Sequence, residues 1–555
     1  MKMKNLKILL ILLTLSLFSC DDYLDVNTDP NRLNINQVGA NKLLPGAQLR
    51  LFIQQSTRTN QLGNVMMNSW YANTQQYTGG FSFETQLLVD NVFYSTIFEQ
   101  NYIGVANLQR IINLNNDSHS NDNYIAAAKI LKAYYLQTVV DLYGDVPLDD
   151  AFKGLQNPAP IFEDDFTIYK KLILELDQAR ALITSANPAA VAMGANDIML
   201  SGDMTNWEKF ANTLELRMLM RLSKCATPSV VSYRDGRLPV LAASNNFLTQ
   251  NLTIQPGFSN ASDEQQNPFY NYTVADSGGA TVQNYSFIAP TAHFYKSMSV
   301  TSDYPTANPS TQIVPSSPVV YPNVSDPRML RLFRRGRRQP YLRAITQGSP
   351  AIDMFKPGQF AFIPGRIGLG SLNPYNEISG ITTNSGSSLE EEIVGKGQSV
   401  KGYVVTLAEI KFLLAEASLF RPTLFPNGAS DFDAGVNENM AYLSVSSTDS
   451  ATYLTAINAK PNFGWIGTDN QKLHAVMYQK WIATMNVNAI ESFIDYNKTG
   501  FPLTPLSVNA SQSRKPRRLV YPQTEYIANS TNTPVVVNSD VFSTTPNTTS
   551  PFWQN

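Results

Sequence analysis

The sequence contains little cysteine or histidine, with two cysteines and three histidines among 555 residues. The histidines are far apart along the chain, and no HExxH or CxxC spacing occurs. Zinc sites need several such ligands at close spacing, so neither a structural nor a catalytic zinc site is expected. Charge is also nearly balanced, with 42 Lys and Arg against 44 Asp and Glu. A nucleic-acid partner, which requires a basic face, is therefore not expected.

Signatures of catalysis are missing as well. No serine lies in a GxSxG elbow, and the glycine pairs at 79–80 and 278–279 lack the strand, phosphate loop and lysine of a nucleotide site. Glycoside hydrolysis needs only two carboxylates, which could come from anywhere in the chain. The acidic groups at 149–150, 164–165 and 390–392 are more typical of solvated helix starts and polar loops. We predict no catalytic residue and interpret the protein as a non-enzyme, with a hydrolase as the alternative.

The first residues, MKMKNLKILLILLTLSLFSC, combine lysines with an uncharged apolar run at residues 8–18. This is typical of an export signal, because a bilayer span takes about 20 apolar residues. The letters LFSC resemble a bacterial lipobox, which implies cleavage before Cys20 and acylation of its thiol. We predict a signal peptide at 1–19 and a lipidated, extended tether at 20–40, with an ordinary secretory signal as the alternative. Cys225 is then the remaining thiol, interpreted as a small core residue.

Apolar residues three and four apart predict amphipathic helices. They are expected near residues 124–142, 166–179, 205–221, 406–420 and 470–499. Two of these helices open with Thr-x-x-Glu, at Thr205 and Thr406, which predicts capping boxes. Asparagines at 486 and 488 predict that the last segment is two helices meeting at a bend. The first three helices start about 40 residues apart, which is compatible with stacked helical hairpins.

Between residues 226 and 400 the helical pattern disappears, and Asn, Ser, Pro, Gly and Tyr dominate. So large a loop-rich insertion is unusual in a compact domain and is often functional. We predict one domain over residues 41–555. It comprises a helical scaffold at 41–225 and 401–500, the insertion at 226–400, and a C-terminal loop region at 501–555.

Aromatic residues are abundant and cluster outside the predicted helices, in WYANTQQYTGGFSFE at 70–84 and FYNYTVADSGGATVQNYSF at 269–287. Aromatic rings offer flat, rigid contact area, and neighbouring Asn and Gln donate and accept hydrogen bonds, so such loops suit sugar rings or extended peptides. Packing onto the helices is the favoured alternative for any single ring. The ligand-binding candidates are Trp70, Tyr71, Asn73, Gln76, Tyr77, Phe81, Phe83, Phe269, Tyr270, Tyr272 and Tyr285.

A series of motifs resembles the SusD/RagB family of Bacteroidetes nutrient-binding lipoproteins, particularly its SusD-like starch-binding associated branch. In chain order the motifs are CDDYLDVNTDPN, LLPGAQ, DLYGDVPLDDAF, WEKFANTLELRMLMRLS, LAEIKFLLAEAS, QKWIATMNVNAIESFIDYNKTGFP and RRLVYPQTEY. Each motif alone is weak, but together they are specific and cover most of the chain.

The resemblance implies a mainly α fold, in which tetratricopeptide-like helical pairs support a loop-rich, ligand-binding half. It also implies a lipoprotein at the outer-membrane surface that binds oligosaccharides and passes them to a SusC-like TonB-dependent transporter. It assigns no contact residue and no cofactor; some relatives bind calcium, but no loop here is assigned to it. Peptide capture on the same scaffold is the second hypothesis, and a lipid-anchored glycoside hydrolase is the third.

Overall fold

The computed structural model describes residues 38–72, 80–300, 319–334, 344–345, 347, 352–354, 366–367 and 397–555. The predicted signal peptide and lipidation site Cys20 lie outside these residues, as do Asn73, Gln76 and Tyr77. Helices dominate the described part, as the apolar spacing predicted. No helix in this part is both long enough and apolar enough to cross a membrane.

The N-terminal half is a row of helices that pack on their neighbours. Helix α1 (Ala40–Gln54) continues through a π-helical turn (Gln55–Thr59) into α2 (Asn60–Met66). The next helices are α3 (Ser82–Gln86), α4 (Ser95–Ile112), α5 (Asp122–Tyr143), α6 (Asp165–Ser185), α7 (Met204–Arg221) and α8 (Pro228–Ser244). Helix α4 packs between α1 and α5, and α6 packs between α5 and α7. This succession of helical pairs is the predicted tetratricopeptide-like arrangement.

Short elements follow in the middle of the chain. The helices are α9 (Pro268–Thr273), α10 (Gln283–Phe287), α11 (Ala292–Met298) and α12 (Met329–Leu332). The strands, numbered from the N-terminus, are β1 (Trp70–Ala72), β2 (Leu252–Ile254), β3 (Ile288–Pro290), β4 (Phe333–Arg334), β5 (Ala344–Ile345), β6 (Ile352–Met354), β7 (Arg366–Ile367) and β8 (Gly402–Val405). They form antiparallel pairs: β1 with β3, β2 with β8, β4 with β7, and β5 with β6.

The C-terminal half returns to paired helices. They are α13 (Leu407–Phe420), α14 (Gly428–Tyr442), α15 (Ser447–Asn458), α16 (Asp469–Thr484) and α17 (Ile490–Thr499), followed by the short α18 (Gln523–Ala528) and α19 (Asn538–Val541). Helix α13 packs on α14, α16 and α7, so the two helical halves meet directly. One cluster of buried apolar side chains extends from Ala40 to Trp553 and includes Cys225, which confirms the interpretation of that thiol as a core residue.

The helix boundaries test the predicted caps. The Thr406 side chain accepts a hydrogen bond from the Glu409 backbone N–H at 3.2 Å, which confirms the start of α13. The capping box at Thr205 is wrong, because Asp203 caps α7 by accepting from the Asn206 N–H at 3.0 Å. An aspartate two residues earlier supplies the better placed acceptor. The bend around residues 486–488 is confirmed, since α16 ends before it and α17 begins after it.

Helix α8 corrects the prediction that helical structure is absent from 226 to 400. Its buried face is narrow, consisting of Val230, Arg234, Leu238 and Leu241. Pro239 also lies inside this helix, where sequence rules predict a break. A weak apolar stripe combined with an internal proline therefore concealed a helix that packs on α7.

Candidate ligand-binding surface

Two aromatic segments that are far apart in the sequence meet in the fold. Strand β1, in the first segment, pairs with β3, which directly follows the second, and Tyr71 lies opposite Ala289. The rings of Phe81 and Phe287 pack with their centroids 4.9 Å apart. Both candidate clusters therefore belong to one region of the molecule.

A glycine permits this close approach. A Cβ atom at Gly80 would lie 2.1 Å from the Ala72 Cβ and 2.9 Å from the Phe287 ring. Both distances are shorter than van der Waals contact, so any larger residue would push the Phe81 segment away from β1.

Most of the candidate rings are packed in the core. Their exposed fractions are 8% or less for Trp70, Tyr71, Phe81, Phe269, Tyr270 and Tyr285. The indole Nε1 of Trp70 donates to Asn486 Oδ1 at 2.8 Å, so even its polar edge is satisfied internally. This burial agrees with the packing alternative. Truncating these rings would leave cavities, so a loss of binding could not be separated from a loss of stability.

Of the candidates in the described part of the chain, two reach the surface. Phe83 is 50% exposed on the outer side of α3, and Tyr272 is half-buried in α9. Asn73, Gln76 and Tyr77 lie outside the described residues, so their assignment stays a prediction. Among the described candidates, Phe83 and Tyr272 are therefore the ones that a ligand could reach without unfolding the core.

A chain of hydrogen bonds fixes Tyr272 to the scaffold. Its hydroxyl donates to Gln61 Oε1 in α2. The Gln61 Nε2 donates to the Tyr94 hydroxyl at 2.6 Å, and that hydroxyl donates to Glu84 Oε1 at 2.7 Å. Burial raises the pKa of Tyr94 well above its usual value, and the nearby Glu84 raises it further. Tyr94 therefore stays protonated and keeps its donor role at physiological pH.

Sequence reasoning missed three members of this chain, Gln61, Glu84 and Tyr94. Gln61 has a signal in the sequence, a run of polar residues, QQSTRTNQ, inside an otherwise apolar helical segment. Most side chains of this run are buried. Buried polar side chains require hydrogen-bond partners, but one sequence does not say which distant residues provide them.

Among the described residues, one acidic group has the spacing of possible metal ligands: Asp145, Asp164 and Asp165. Each carboxylate already accepts from the backbone. Asp145 accepts from the Asp165 N–H at 3.0 Å, Asp164 from the Thr167 N–H at 2.7 Å, and Asp165 from the Phe552 N–H at 2.8 Å. Burial raises the pKa of Asp165 to about 7, which disfavours the charged form that a cation would need. These contacts explain the cluster as a helix cap that also binds the C-terminal tail.

Two family profiles match this chain, and both descriptions refer to the outer membrane. A family profile described as "Starch-binding associating with outer membrane" matches residues 30–273. A second profile, described as "Susd and RagB outer membrane lipoprotein", matches residues 382–554. Neither description names a catalytic activity. No curated protein sequence matches this chain.

Solved structures share the fold at low sequence identity. A chitin-binding SusD homologue from Flavobacterium johnsoniae superimposes with a TM-score of 0.63 at 18% identity, over 88% of this chain and 94% of the other. A SusD-like protein from Bacteroides thetaiotaomicron gives a TM-score of 0.61 at 17% identity, over 89% of this chain and 94% of the other. The helical pairs and the loop-rich middle therefore form a known architecture.

Proposed function

We propose a function for this chain from the premise that it belongs to the SusD/RagB family of outer membrane lipoproteins. It is a cell-surface lipoprotein that binds oligosaccharides and delivers them to a SusC-like TonB-dependent transporter in the outer membrane. Lipid on Cys20 anchors it, and capture is its task, without cleavage of a bond in the ligand.

The observation that carries this proposal is the convergence of the two aromatic segments beside accessible rings. Phe83 is 50% exposed and Tyr272 is half-buried, so both rings reach the surface, and the Tyr272 hydroxyl donates to Gln61. Sugar rings stack on aromatic faces and bond to such hydroxyls. The chitin-binding character of the Flavobacterium homologue supports a glycan ligand.

Isothermal titration of the soluble chain, residues 21–555, against neutral and acidic oligosaccharides tests this function. Phe83→Ala should weaken glycan binding by about 1 kcal/mol. Val240→Ala, an exposed apolar position in α8, is the matched control and should leave affinity unchanged. Binding of peptides in place of glycans would favour the second hypothesis, and release of shortened sugars would support a hydrolase.

The anchor and the partner need separate experiments. Mass spectrometry should find acyl chains on Cys20 as the mature N-terminal residue, and Cys20→Ser should release the protein from the outer membrane. Solubilised membranes should yield a complex with a large TonB-dependent barrel. A soluble periplasmic protein without acyl chains would contradict the anchor, and absence of a barrel would contradict delivery.

A further inference from the structure

One cation at the candidate surface, Arg58, has no carboxylate within ion-pair distance among the described residues. Arg58 lies in the π-helical turn between α1 and α2 and is half-buried. By contrast, arginines buried in the scaffold have close carboxylate partners, such as Asp141 at 2.9 Å from Arg221 and Asp326 at 2.7 Å from Arg328.

The guanidinium of Arg58 makes a cation–π contact with the Tyr94 ring. Its carbon lies 4.6 Å above the centroid of the Tyr94 ring. The Tyr94 hydroxyl is held from both sides, by Gln61 and Glu84, so the ring beneath the cation cannot turn away. A cation over a fixed aromatic face loses little mobility when it binds a ligand.

The surroundings keep Arg58 charged. Burial alone would lower the pKa of Arg58, but Tyr94, Tyr272 and Glu84 outweigh it, so the pKa is raised overall. Glu84 influences the cation at a distance, while its Oε1 accepts from Tyr94. The guanidinium therefore stays positively charged beside Tyr272, with which it shares a side-chain hydrogen bond.

The π-helical turn explains how a charged side chain reaches this place. In the turn, Gln55 and Ser56 are buried while Thr57 and Arg58 reach the surface. The Gln55 Nε2 donates to the Val404 carbonyl at 2.8 Å and so fixes the turn to β8. Such turns are rare inside α-helices and occur frequently at functional sites.

We propose that Arg58 binds the carboxylate of an acidic sugar, so that the ligand of this surface is an oligosaccharide containing uronic acid. The inference rests on the proposed function and specifies its substrate class. A planar guanidinium forms two parallel hydrogen bonds with a carboxylate, which lysine cannot match. Tyr272, beside the guanidinium, would bond to a hydroxyl of the same sugar.

The test is titration of the soluble chain, residues 21–555, with oligogalacturonate, oligoalginate, hyaluronan fragments, chitohexaose and maltohexaose. At least one uronate-containing ligand should bind more tightly than the neutral ones, with an affinity that falls as salt is added. Arg58→Met should reduce that affinity about tenfold or more, and Arg58→Lys should restore part of it.

Two further variants separate recognition from folding. Glu84→Gln keeps an acceptor for Tyr94 but removes a negative charge near the carboxylate, so it should strengthen binding of the acidic ligand. The control is Arg50→Met; Arg50 lies in α1, before the π turn, is exposed, and donates to Gln100 Oε1 at 2.7 Å. This control should change nothing. Opposite effects at Arg58 and Glu84, with equal melting temperatures, cannot arise from a shared loss of structure.

The outcomes distinguish this inference from the function on which it rests. Binding of a neutral glycan that is insensitive to Arg58→Met would overturn the acidic-ligand inference and leave glycan capture intact. Failure of every glycan to bind would contradict the proposed function as well. Equal affinities of the wild type and Arg58→Met for a uronate ligand would also overturn the role of Arg58.

Discussion

The helical scaffold and the C-terminal tail bury positive charge in opposite ways. In the scaffold, Arg221 of α7 pairs with three carboxylates, Asp141 at 2.9 Å, Glu491 at 2.7 Å and Asp495 at 3.2 Å. In the tail, the cations of RKPRR at 514–518 make no ion pair with a carboxylate among the described residues. Their partners are mostly carbonyl oxygens; Arg517 Nε, for example, donates to the Ser543 carbonyl at 2.7 Å.

The pKa values show what this difference means. Burial disfavours the charged form of Arg221, but its three carboxylates outweigh that effect and raise its pKa well above the usual value. Burial without a carboxylate lowers the pKa of Lys515 to about 7 and that of Arg517 to about 10. Carbonyl dipoles satisfy hydrogen-bond donors but compensate a buried charge poorly. Burial of a cation is therefore offset by carboxylates in the scaffold, whereas in the tail it lowers the stability of the fold.

The largest effect is expected at Arg221. Arg221→Met keeps most of the side-chain volume but leaves Asp141, Glu491 and Asp495 buried with too little positive charge. The free energy of unfolding should fall by about 3–5 kcal/mol, measured by urea denaturation at pH 7. Arg50→Met, at an exposed position, should change it by less than about 0.5 kcal/mol. A small loss of stability in Arg221→Met would mean that the three buried carboxylates do not need the charge of Arg221.

Lys515 should behave in the opposite way. Lys515→Met removes a cation that contacts Thr504 and lies 4.2 Å from the Tyr496 ring. At pH 6 the variant should be more stable than the wild type by about 1–3 kcal/mol, because the buried ammonium is charged there.

The pH dependence of this difference has a defined sign. The unfolded chain keeps the Lys515 proton up to its ordinary pKa of 10.5, whereas the folded chain loses it above about 7. Between these values the unfolded state binds more protons, so wild-type stability relative to the variant should rise with pH. Thermal melts of both proteins from pH 6 to 9.5 measure this. A constant difference would contradict a buried, uncompensated lysine.

Glu409 tests whether every charge is needed in the scaffold network, the buried ion pairs around Arg217 and Arg221. Burial, with a contribution from Glu491, raises its pKa, and its closest approach to Arg217 is 3.9 Å. The folded state therefore favours protonated Glu409, and this contribution to stability is lost as pH rises through the raised pKa. Glu409→Gln should change the free energy of unfolding at pH 7 by about 1 kcal/mol or less. Glu491→Gln should lower it by more, because Glu491 pairs directly with Arg221. Equal losses of stability in the two variants would mean that Glu409 and Glu491 contribute equally, which contradicts this prediction.

Replacing Arg517 should also have only a small effect. Its guanidinium is partly exposed and bonds to the carbonyls of Ser543 and Thr544 and to Gln554. Arg517→Gln should cost about 0.5–1 kcal/mol in urea denaturation, because water can solvate the carbonyls that lose their donor. A loss as large as that of Arg221→Met would remove the distinction between the two regions.

The fold was predictable where one helical face is plainly apolar. Helices α5, α6, α7, α13 and α16 follow from that spacing. The family resemblance follows from the order of the motifs along the chain. Helix α8 was not predictable, because Arg234 lies on its buried face and Pro239 lies inside it. The candidate surface was predictable as two aromatic segments but not as individual contacts, since six of its rings are buried.

The sequence by itself determined the helical scaffold, the family and the expectation of a binding protein, because apolar spacing and ordered motifs are local properties of the chain. Only the tertiary structure decided which aromatic rings face outward and which charges meet. Phe83 and Trp70 are chemically similar in the sequence, yet one is 50% exposed and the other is fully buried. Arg58 and Arg221 likewise differ in burial and in whether carboxylates from distant helices reach them, which depends on packing between segments far apart along the chain.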